Sequence, residues 1–302
     1  LVQRPYGIIA DPAIEPKSIF ISAFATAPLA AVPEFAFKDE IEDIQTGVNA
    51  LAKLTNGGVH FSLSSENYSG TPLHKIENVI QHVFSGKHPA GNVGVQISHI
   101  SPIMKGDTVW TVSLLLVAAI GKLFNTGKYD MTRKVAVTGP KAIDPSYVDA
   151  LPGIAMKDLK EFYDNSANDF RFISGDVLTG ESVGENGFLG FFDNQVTFLH
   201  EGTEREVLGW AKPFRRKKFS SSHTYFSWLT PKKTYDMDTN FNGGPRAFVM
   251  SDVYSKVLPM DIYPVYLAKA CLAGDIDKME KFGIYEVLPE DLALCEYVYP
   301  SK

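Results

Sequence analysis

Cysteine is scarce in this sequence, with only Cys271 and Cys295 among 302 residues. Two cysteines cannot build the disulfide framework of a small secreted domain. They also leave too few thiolates for a four-cysteine iron–sulfur or zinc site. A chain of this length buries enough apolar surface to fold without such links, so the sequence predicts a globular protein that relies on its core.

Positive charge is also in short supply. Lysine and arginine total 29 against 35 aspartate and glutamate residues, which gives a formal net charge of −6. Nucleic-acid-binding domains are normally clearly basic, so this balance argues against that class of protein. Hydrophobic residues make up 45% and charged residues 21%, as in ordinary globular proteins, and the length favours two or three domains.

Long apolar runs are missing as well. The longest, residues 109–121, is interrupted by Thr111 and Ser113. It falls short of the ~20 residues that a membrane-spanning helix needs, so we expect it to form a buried helix. No signal peptide opens the chain, and it begins with Leu1 rather than Met, so we expect a piece of a longer protein.

Strand and helix patterns alternate through the first half of the chain. Short β-branched or alternating runs predict strands at residues 18–24, 59–63, 93–100 and 134–138. Apolar residues three and four apart predict helices at residues 37–54, 73–84 and 108–124. Strands separated by helices pair in parallel, because a parallel connection needs a long crossover. The pattern predicts a Rossmann-like α/β domain over residues 1–155, with helices covering a parallel sheet.

The remainder of the chain changes character twice. From residue 171 to about residue 248, short alternating runs are separated by glycines. These runs predict a small antiparallel or β-grasp module over residues 165–250 and include residues 177–179 and 206–210. Helical spacing returns over residues 251–302, where Gly274 and Gly283 mark expected helix ends and Pro289 an expected start.

Phosphate-binding motifs are absent from the places where they are expected. A dinucleotide loop needs glycines directly after the first strand, where residues 25–28 read ATAP. Gly91 and Gly94 precede a predicted strand, which is the wrong order. Residues 121–129 resemble a P-loop, but the spacing is one residue too long and Tyr129 replaces the magnesium-binding Ser or Thr. We expect no nucleotide cofactor on this chain.

The seven histidines contain no H-E-x-x-H motif and no pair at i, i+4, so no metal site is predicted. His88 precedes Pro89 in a stiff turn, where its imidazole is placed to donate a hydrogen bond to a carbonyl oxygen. The alternative is a turn histidine bonded to local backbone. His60 and His99 fall in predicted strands, where a buried and hydrogen-bonded histidine is expected.

One cluster of four successive cations stands out. It allows two interpretations, either binding to an anionic lipid headgroup or acidic partner, or a solvated hairpin tip. The four residues are Arg215, Arg216, Lys217 and Lys218.

Several sequence blocks carry a resemblance to a known family. They read HPAG at 88–91, VAAIGKLFNTG at 117–127, RFISGDVLTG at 171–180, LGWAKP at 208–213, LPMDI at 258–262, LAGD at 272–275 and PEDLALC at 289–295. In these blocks and their order, the chain resembles the NqrA component of the sodium-translocating NADH:quinone reductase. The resemblance covers nearly the whole chain.

The resemblance implies a fold similar to that of the flavin-binding subunit of respiratory complex I. That fold comprises a Rossmann-like domain, a soluble-ligand-binding β-grasp domain and a helical C-terminal part. The resemblance also implies that a small N-terminal β domain and a C-terminal tail of the family are missing here. Many family members have a second cysteine where this chain has Tyr299, so a thiol pair with Cys295 is not expected.

The resemblance further implies a role in a multi-subunit oxidoreductase. The family enzyme passes electrons from NADH through flavins and iron–sulfur centres to ubiquinone while exporting sodium. Its NqrA component is expected at the cytoplasmic face of the bacterial inner membrane, peripheral and next to a membrane subunit. FMN, FAD, riboflavin and the iron–sulfur centres are expected in other subunits, which leaves ubiquinone as the possible ligand of this chain.

A quinone pocket is expected to be lined by aromatic residues and to hold one or two hydrogen-bond donors. Residue type and expected position near strand ends make His88, His99 and Trp110 the candidates. Two alternatives stay open. One is a scaffold without a ligand, which docks through residues 215–218. The other is a flavin- or NADH-binding enzyme like the complex I relative, although we expect no NADH oxidation by the isolated fragment.

Overall fold

Two β-sheets with their associated helices make up a mixed α/β fold. The computed structural model describes residues 1–66, 68–163, 170–203, 218–219, 226–230, 232–240 and 252–299.

Within the described part of the chain, the first sheet has six strands. They are β1 (Val2–Arg4), β2 (Ile8–Ile9), β3 (Ile19–Ser22), β4 (Val59–Ser64), β5 (Ile80–Phe84) and β6 (Val109–Thr111). Their order is β2-β1-β6-β3-β4-β5. β6, β3, β4 and β5 run parallel, whereas β1 is antiparallel to β6 and β2 is antiparallel to β1. The predicted parallel sheet is confirmed, although only β3 and β4 of its parallel strands were among the predicted strands.

Helices cover the two faces of this sheet unequally. They are α1 (Pro33–Ala36), α2 (Ile41–Leu51), α3 (Val93–Ile100) and α4 (Leu114–Thr126). α2 and α4 pack side by side on one face and bury Ile19, Phe61 and Trp110. On the other face, α3 packs over β3 and encloses Phe20. Between β4 and β5, the described residues form a loop and a short 3-10 helix but no α-helix.

The α2–α4 contact depends on two glycines. A Cβ on Gly47 would overlap the carbonyl oxygen of Val117, and a Cβ on Gly121 would overlap that of Asp43. Gly127, with φ of 70°, ends α4 in the left-handed conformation that suits glycine. The P-loop-like spacing of residues 121–129 is thus a close helix contact followed by a helix end.

Over the ranges that the structure describes, the second sheet has five strands. They are β7 (Arg133–Thr138), β8 (Ser146–Ala150), β9 (Phe170–Ser174), β10 (Glu181–Ser182) and β11 (Gln195–His200). Their order is β10-β9-β11-β7-β8, and only β7 and β11 are parallel. Val135, Met156, Phe172 and Phe198 lie in its core.

The C-terminal part is helical, as its apolar spacing predicted. It contains α5 (Pro264–Ala273), α6 (Ile276–Lys281) and α7 (Ala293–Tyr297). Gly274 and Gly283 have φ of 67° and 98°, which fits the predicted helix ends. Short 3-10 helices complete the described elements at Pro72–Lys75, Met156–Leu159, Phe226–Leu229, Tyr254–Lys256, Ile284–Glu286 and Pro289–Leu292.

Several element predictions were wrong. Residues 93–100 form α3 rather than a strand, because Val93, Ile97 and Ile100 also share one helical face and cover Phe20. Residues 73–84 contain a 3-10 helix and β5 rather than one helix, and Asn78 between them takes a left-handed φ of 59°. The run 108–124 contains two elements, since β6 ends before the Ser113 hydroxyl caps α4.

Two further assignments differ in the second half. The predicted strand at 134–138 exists as β7 but pairs in the second sheet, so residues 133–150 do not extend the first sheet. Residues 177–179 form a turn rather than a strand, because the Asp176 carboxylate accepts hydrogen bonds from the backbone N–H groups of Leu178 and Thr179. The predicted run at 206–210 lies outside the described residues.

Candidate functional site

A group of polar residues gathers at the carboxyl ends of the parallel strands. Ser22 ends β3, Thr26 follows it, His88 and Gly91 lie in the loop after β5, and Gln96 belongs to α3. We call these five residues the carboxyl-edge site. In open α/β sheets, ligands bind outside the carboxyl ends of the strands, so this position makes the group a candidate binding site.

Thr26 joins the two loops of the site. Its hydroxyl Oγ1 accepts a hydrogen bond from the backbone N–H of Gly91 at 2.9 Å and lies 3.2 Å from Nδ1 of His88. The approach is so close that a Cβ on Gly91 would come within 2.8 Å of both the backbone N and Oγ1 of Thr26. Only glycine fits at position 91 without moving the threonine.

Gln96 holds the other side of the site. Its Nε2 donates to Ser22 Oγ at 2.9 Å and to the Ala90 carbonyl at 3.1 Å, while Ser22 Oγ donates to the Gly91 carbonyl at 3.0 Å. The Gln96 side chain is only 1% exposed. Its Oε1 has no hydrogen-bond partner among the described residues, although a buried carbonyl oxygen normally has one.

His88 presents a second buried polar atom without a partner. Its ring is half-buried, and Nε2 makes no hydrogen bond within the described part of the chain. Burial lowers the pKa of His88 below its ordinary value, and the negative charge of Asp176 opposes that shift. The ring is therefore neutral at pH 7, with one nitrogen protonated and one carrying a lone pair.

The second sheet reaches this site through the loop that follows β3. Gln195 of β11, which is 3% exposed, accepts the backbone N–H of Ala31 on Oε1 at 2.8 Å. The Tyr147 hydroxyl of β8 accepts the N–H of Val32 at 2.7 Å. The loop that carries Thr26 is thus fixed at both ends, to β3 on one side and to the second sheet on the other.

The three quinone candidates do not come together. His99 is exposed on α3. Trp110 is 4% exposed and faces the α2–α4 layer, paired with Ile19 at the start of β3, whereas Ser22 of the carboxyl-edge site ends that strand. Only His88 lies in the site.

Sequence reasoning missed Thr26 and Gln96. Thr26 lies in the stretch ATAP, where the sequence signal is only the absence of the glycines of a dinucleotide loop. Gln96 interrupts the apolar run VGVQI, and a lone polar residue in such a run is a signal for a buried hydrogen-bonded role.

Of the four residues of the basic cluster, the structure describes Lys218. Arg215, Arg216 and Lys217 lie outside the described residues. Lys218 Nζ forms an ion pair of 2.5 Å with Asp238 Oδ2, and both side chains are about a quarter exposed. Its charge is therefore already partnered within this chain.

A second histidine group lies on the face of the first sheet that carries Phe20. His60 stacks on Phe20 with ring centroids 4.5 Å apart, and His60 Nδ1 is 2.9 Å from His82 Nε2. Burial and the neighbouring His82 lower the pKa of His60 to about 4. No group of three or more His, Cys, Asp or Glu side chains in the described ranges is arranged to hold a metal ion.

Comparison with known proteins identifies the family. The family model "NqrA second alpha/beta domain" matches residues 1–129. The NqrA component of the Na(+)-translocating NADH-quinone reductase from Rhodopirellula baltica is 37% identical over 300 residues, which cover 99% of this chain and 65% of that protein. The corresponding Cellvibrio japonicus protein is 39% identical, with 99% and 66% covered. This chain belongs to the NqrA family of Na(+)-translocating NADH-quinone reductases.

The chain spans 65% and 66% of the length of these NqrA relatives, just under two thirds. Among solved structures, it is similar to an NAD+-reducing [NiFe]-hydrogenase, at a TM-score of 0.46 and 12% identity over 63% of this chain and 41% of that one. That likeness is too distant to carry an argument. Within the residues that the structure describes, none of the helices is both long and apolar enough to cross a bilayer.

Proposed function

We propose that this chain works as part of the NqrA component in a sodium-pumping NADH:ubiquinone oxidoreductase. Identity of 37–39% to NqrA relatives along 99% of the chain supports membership in that complex. In this proposal it is peripheral, lies at the cytoplasmic face of the inner membrane and contacts a membrane subunit. FMN, FAD, riboflavin and the iron–sulfur centres reside in other subunits, and this chain binds none of them.

The proposed contribution of this chain is quinone binding, and the buried Nε2 of His88 is the observation that carries it. A quinone offers two carbonyl oxygens that accept hydrogen bonds, and a neutral histidine has one N–H to give. A buried polar atom without a partner costs free energy, which a ligand atom can recover by bonding to it. The position at the carboxyl ends of β3 and β5 adds support.

The fold assignment that we propose rests on the membership of this chain in the NqrA family and on its two sheets. The four parallel strands with helices on both faces support a Rossmann-like domain, and the second sheet supports a β-grasp ligand-binding domain followed by a helical domain at 251–302. β7 and β8 pair in the second sheet, and the family model ends at residue 129. Both observations favour a first boundary after residue 129 over one at residue 155.

Steady-state kinetics of the assembled complex test the quinone role. His88→Phe removes the N–H donor, so we expect the KM for a short-chain ubiquinone to rise about five-fold, the loss expected for one neutral hydrogen bond. NADH oxidation by an artificial electron acceptor should stay unchanged, because that reaction bypasses quinone. His99→Phe is the matched control, since His99 is exposed and outside the site. An unchanged quinone KM in the His88 variant would contradict the proposal.

The second candidate is a scaffold protein without a ligand, docked through residues 215–218. Charge reversal at Arg215, Arg216, Lys217 and Lys218 tests it by co-purification of the other subunits. Loss of assembly together with a normal quinone KM in the His88 variant would favour the scaffold. Intact assembly would count against that surface.

A further inference from the structure

The hydroxyl of Thr26 lies within hydrogen-bond distance of one of the two ring nitrogens of His88. Among the described residues, Thr26 Oγ1 has two partners, the N–H of Gly91 and Nδ1 of His88. A backbone N–H can only donate, so Oγ1 accepts from Gly91. The remaining question is which atom accepts the hydrogen of the Thr26 hydroxyl.

Two arrangements are possible at the Thr26–His88 contact. If Nδ1–H donated to Thr26, the threonine would accept two hydrogen bonds, its own hydrogen would have no acceptor among the described residues, and the buried Nε2 lone pair would be unpaired there as well. If Thr26 donates to Nδ1, both threonine bonds are satisfied and only the Nε2–H of His88 is left unpaired. The second arrangement uses the Thr26 hydroxyl hydrogen within the site and leaves fewer polar groups without a partner among the described residues, so we take it as the more stable one.

We infer that Thr26 is a positioning residue that holds His88 as the Nε2–H tautomer, so that the carboxyl-edge site recognises a hydrogen-bond acceptor, namely the carbonyl oxygen of the oxidised quinone. The choice of ligand rests on the proposed function, whereas the tautomer does not. Gly91 is also needed for this arrangement, because a side chain at position 91 would push Thr26 away from the imidazole.

NMR spectroscopy of the full-length protein with 15N-labelled histidine reads the tautomer directly. His88→Gln identifies the resonances of His88. In the unmodified protein at pH 7, we expect a pyridine-like Nδ1 and a protonated Nε2. Thr26→Val removes the hydroxyl at nearly constant volume and should convert His88 into a mixture of tautomers, whereas Thr26→Ser should keep the original state. A protonated Nδ1 in the unmodified protein, or no change in Thr26→Val, would overturn the inference.

Binding of a short-chain ubiquinone to the assembled complex provides the second measurement. We expect Thr26→Val to weaken binding about two-fold, because the ligand then binds one of two similarly populated tautomers, and Thr26→Ser to restore it. If the NMR result holds but neither His88→Phe nor Thr26→Val affects quinone binding, the tautomer stands and the quinone as its ligand is refuted. If His88→Phe weakens binding but the spectra show protonated Nδ1, the quinone role stands and the positioning role of Thr26 falls.

Discussion

Arg4 Nη1 donates a hydrogen bond of 2.9 Å to Asp291 Oδ2, and both side chains are almost fully buried. Arg4 belongs to β1 at the start of the chain, and Asp291 lies in the 3-10 helix Pro289–Leu292 near its end. Asp291 Oδ2 also accepts the backbone N–H of Leu288 at 3.1 Å, which caps that helix. This buried ion pair, together with the half-exposed pair between Arg4 and Glu290, fastens the C-terminal helical part to the first sheet.

Loss of this ion pair should be costly. Asp291→Asn leaves the Arg4 charge buried with only the half-exposed Glu290 as a partner, and breaking a buried pair in this way costs about 3 kcal/mol. Urea unfolding measures the effect. Glu280→Gln is the matched control, because it breaks the solvent-exposed pair with Lys105 and should leave the unfolding midpoint nearly unchanged. Equal shifts in the two variants would contradict the assignment of this role to Asp291.

Gly121→Ala should destabilise the protein even though alanine favours helices. The new Cβ would overlap the Asp43 carbonyl oxygen and push α2 and α4 apart, at a cost of about 2–3 kcal/mol. Gly127→Ala, where nothing lies within 4 Å of the new Cβ, should cost only about 1 kcal/mol, for the left-handed φ. Thermal or urea unfolding of both variants checks the order, and a stabilised Gly121→Ala protein would show that the helices are not in contact there.

His60 should make the protein less stable as the pH falls. Its folded pKa of about 4 lies below the ordinary value of 6.5, so the unfolded chain binds more protons between these pH values. The free energy of unfolding therefore decreases from pH 6.5 to pH 4 and gains nothing above pH 6.5. His60→Phe keeps a ring against Phe20 and should flatten this part of the profile. An NMR titration of His60 with a midpoint near pH 6.5 would refute the expectation.

Trp110→Phe should leave quinone kinetics unchanged. Trp110 is in the core between the sheet and the α2–α4 layer, and its indole Nε1 has no hydrogen-bond partner in the described ranges. The substitution removes that unsatisfied N–H and some volume, two effects that oppose each other, so we expect stability to change by no more than about 1 kcal/mol. The KM for quinone and urea unfolding check the expected kinetics and stability, respectively. A large rise in KM would indicate that Trp110 contributes to quinone binding.

Local patterns predicted the elements whose signals were unambiguous. β3, β4, α2 and the helix ends at Gly274 and Gly283 follow from apolar spacing and glycine position alone. The segment Val93–Ile100 was misassigned because its apolar residues satisfy both a strand and a helix pattern, and only its packing over Phe20 distinguishes them. β7 was assigned to the first sheet because sheet membership depends on long-range pairing with β11.

The candidate site was predicted in part for a similar reason. His88 was found from residue type and the turn at Pro89. Its partner Thr26 is 62 positions away in the sequence and becomes a neighbour only because β3 and β5 end at the same edge of the sheet. Spacing along the chain carries no information about such a pair.

The loop between β3 and α1 acts as a mechanical link. Thr26 holds the imidazole of His88, and a few residues further on, Ala31 and Val32 are tied to Gln195 and Tyr147 of the second sheet. The position of the threonine hydroxyl beside the imidazole therefore depends on hydrogen bonds to both sheets, although the imidazole itself follows a strand of the first sheet.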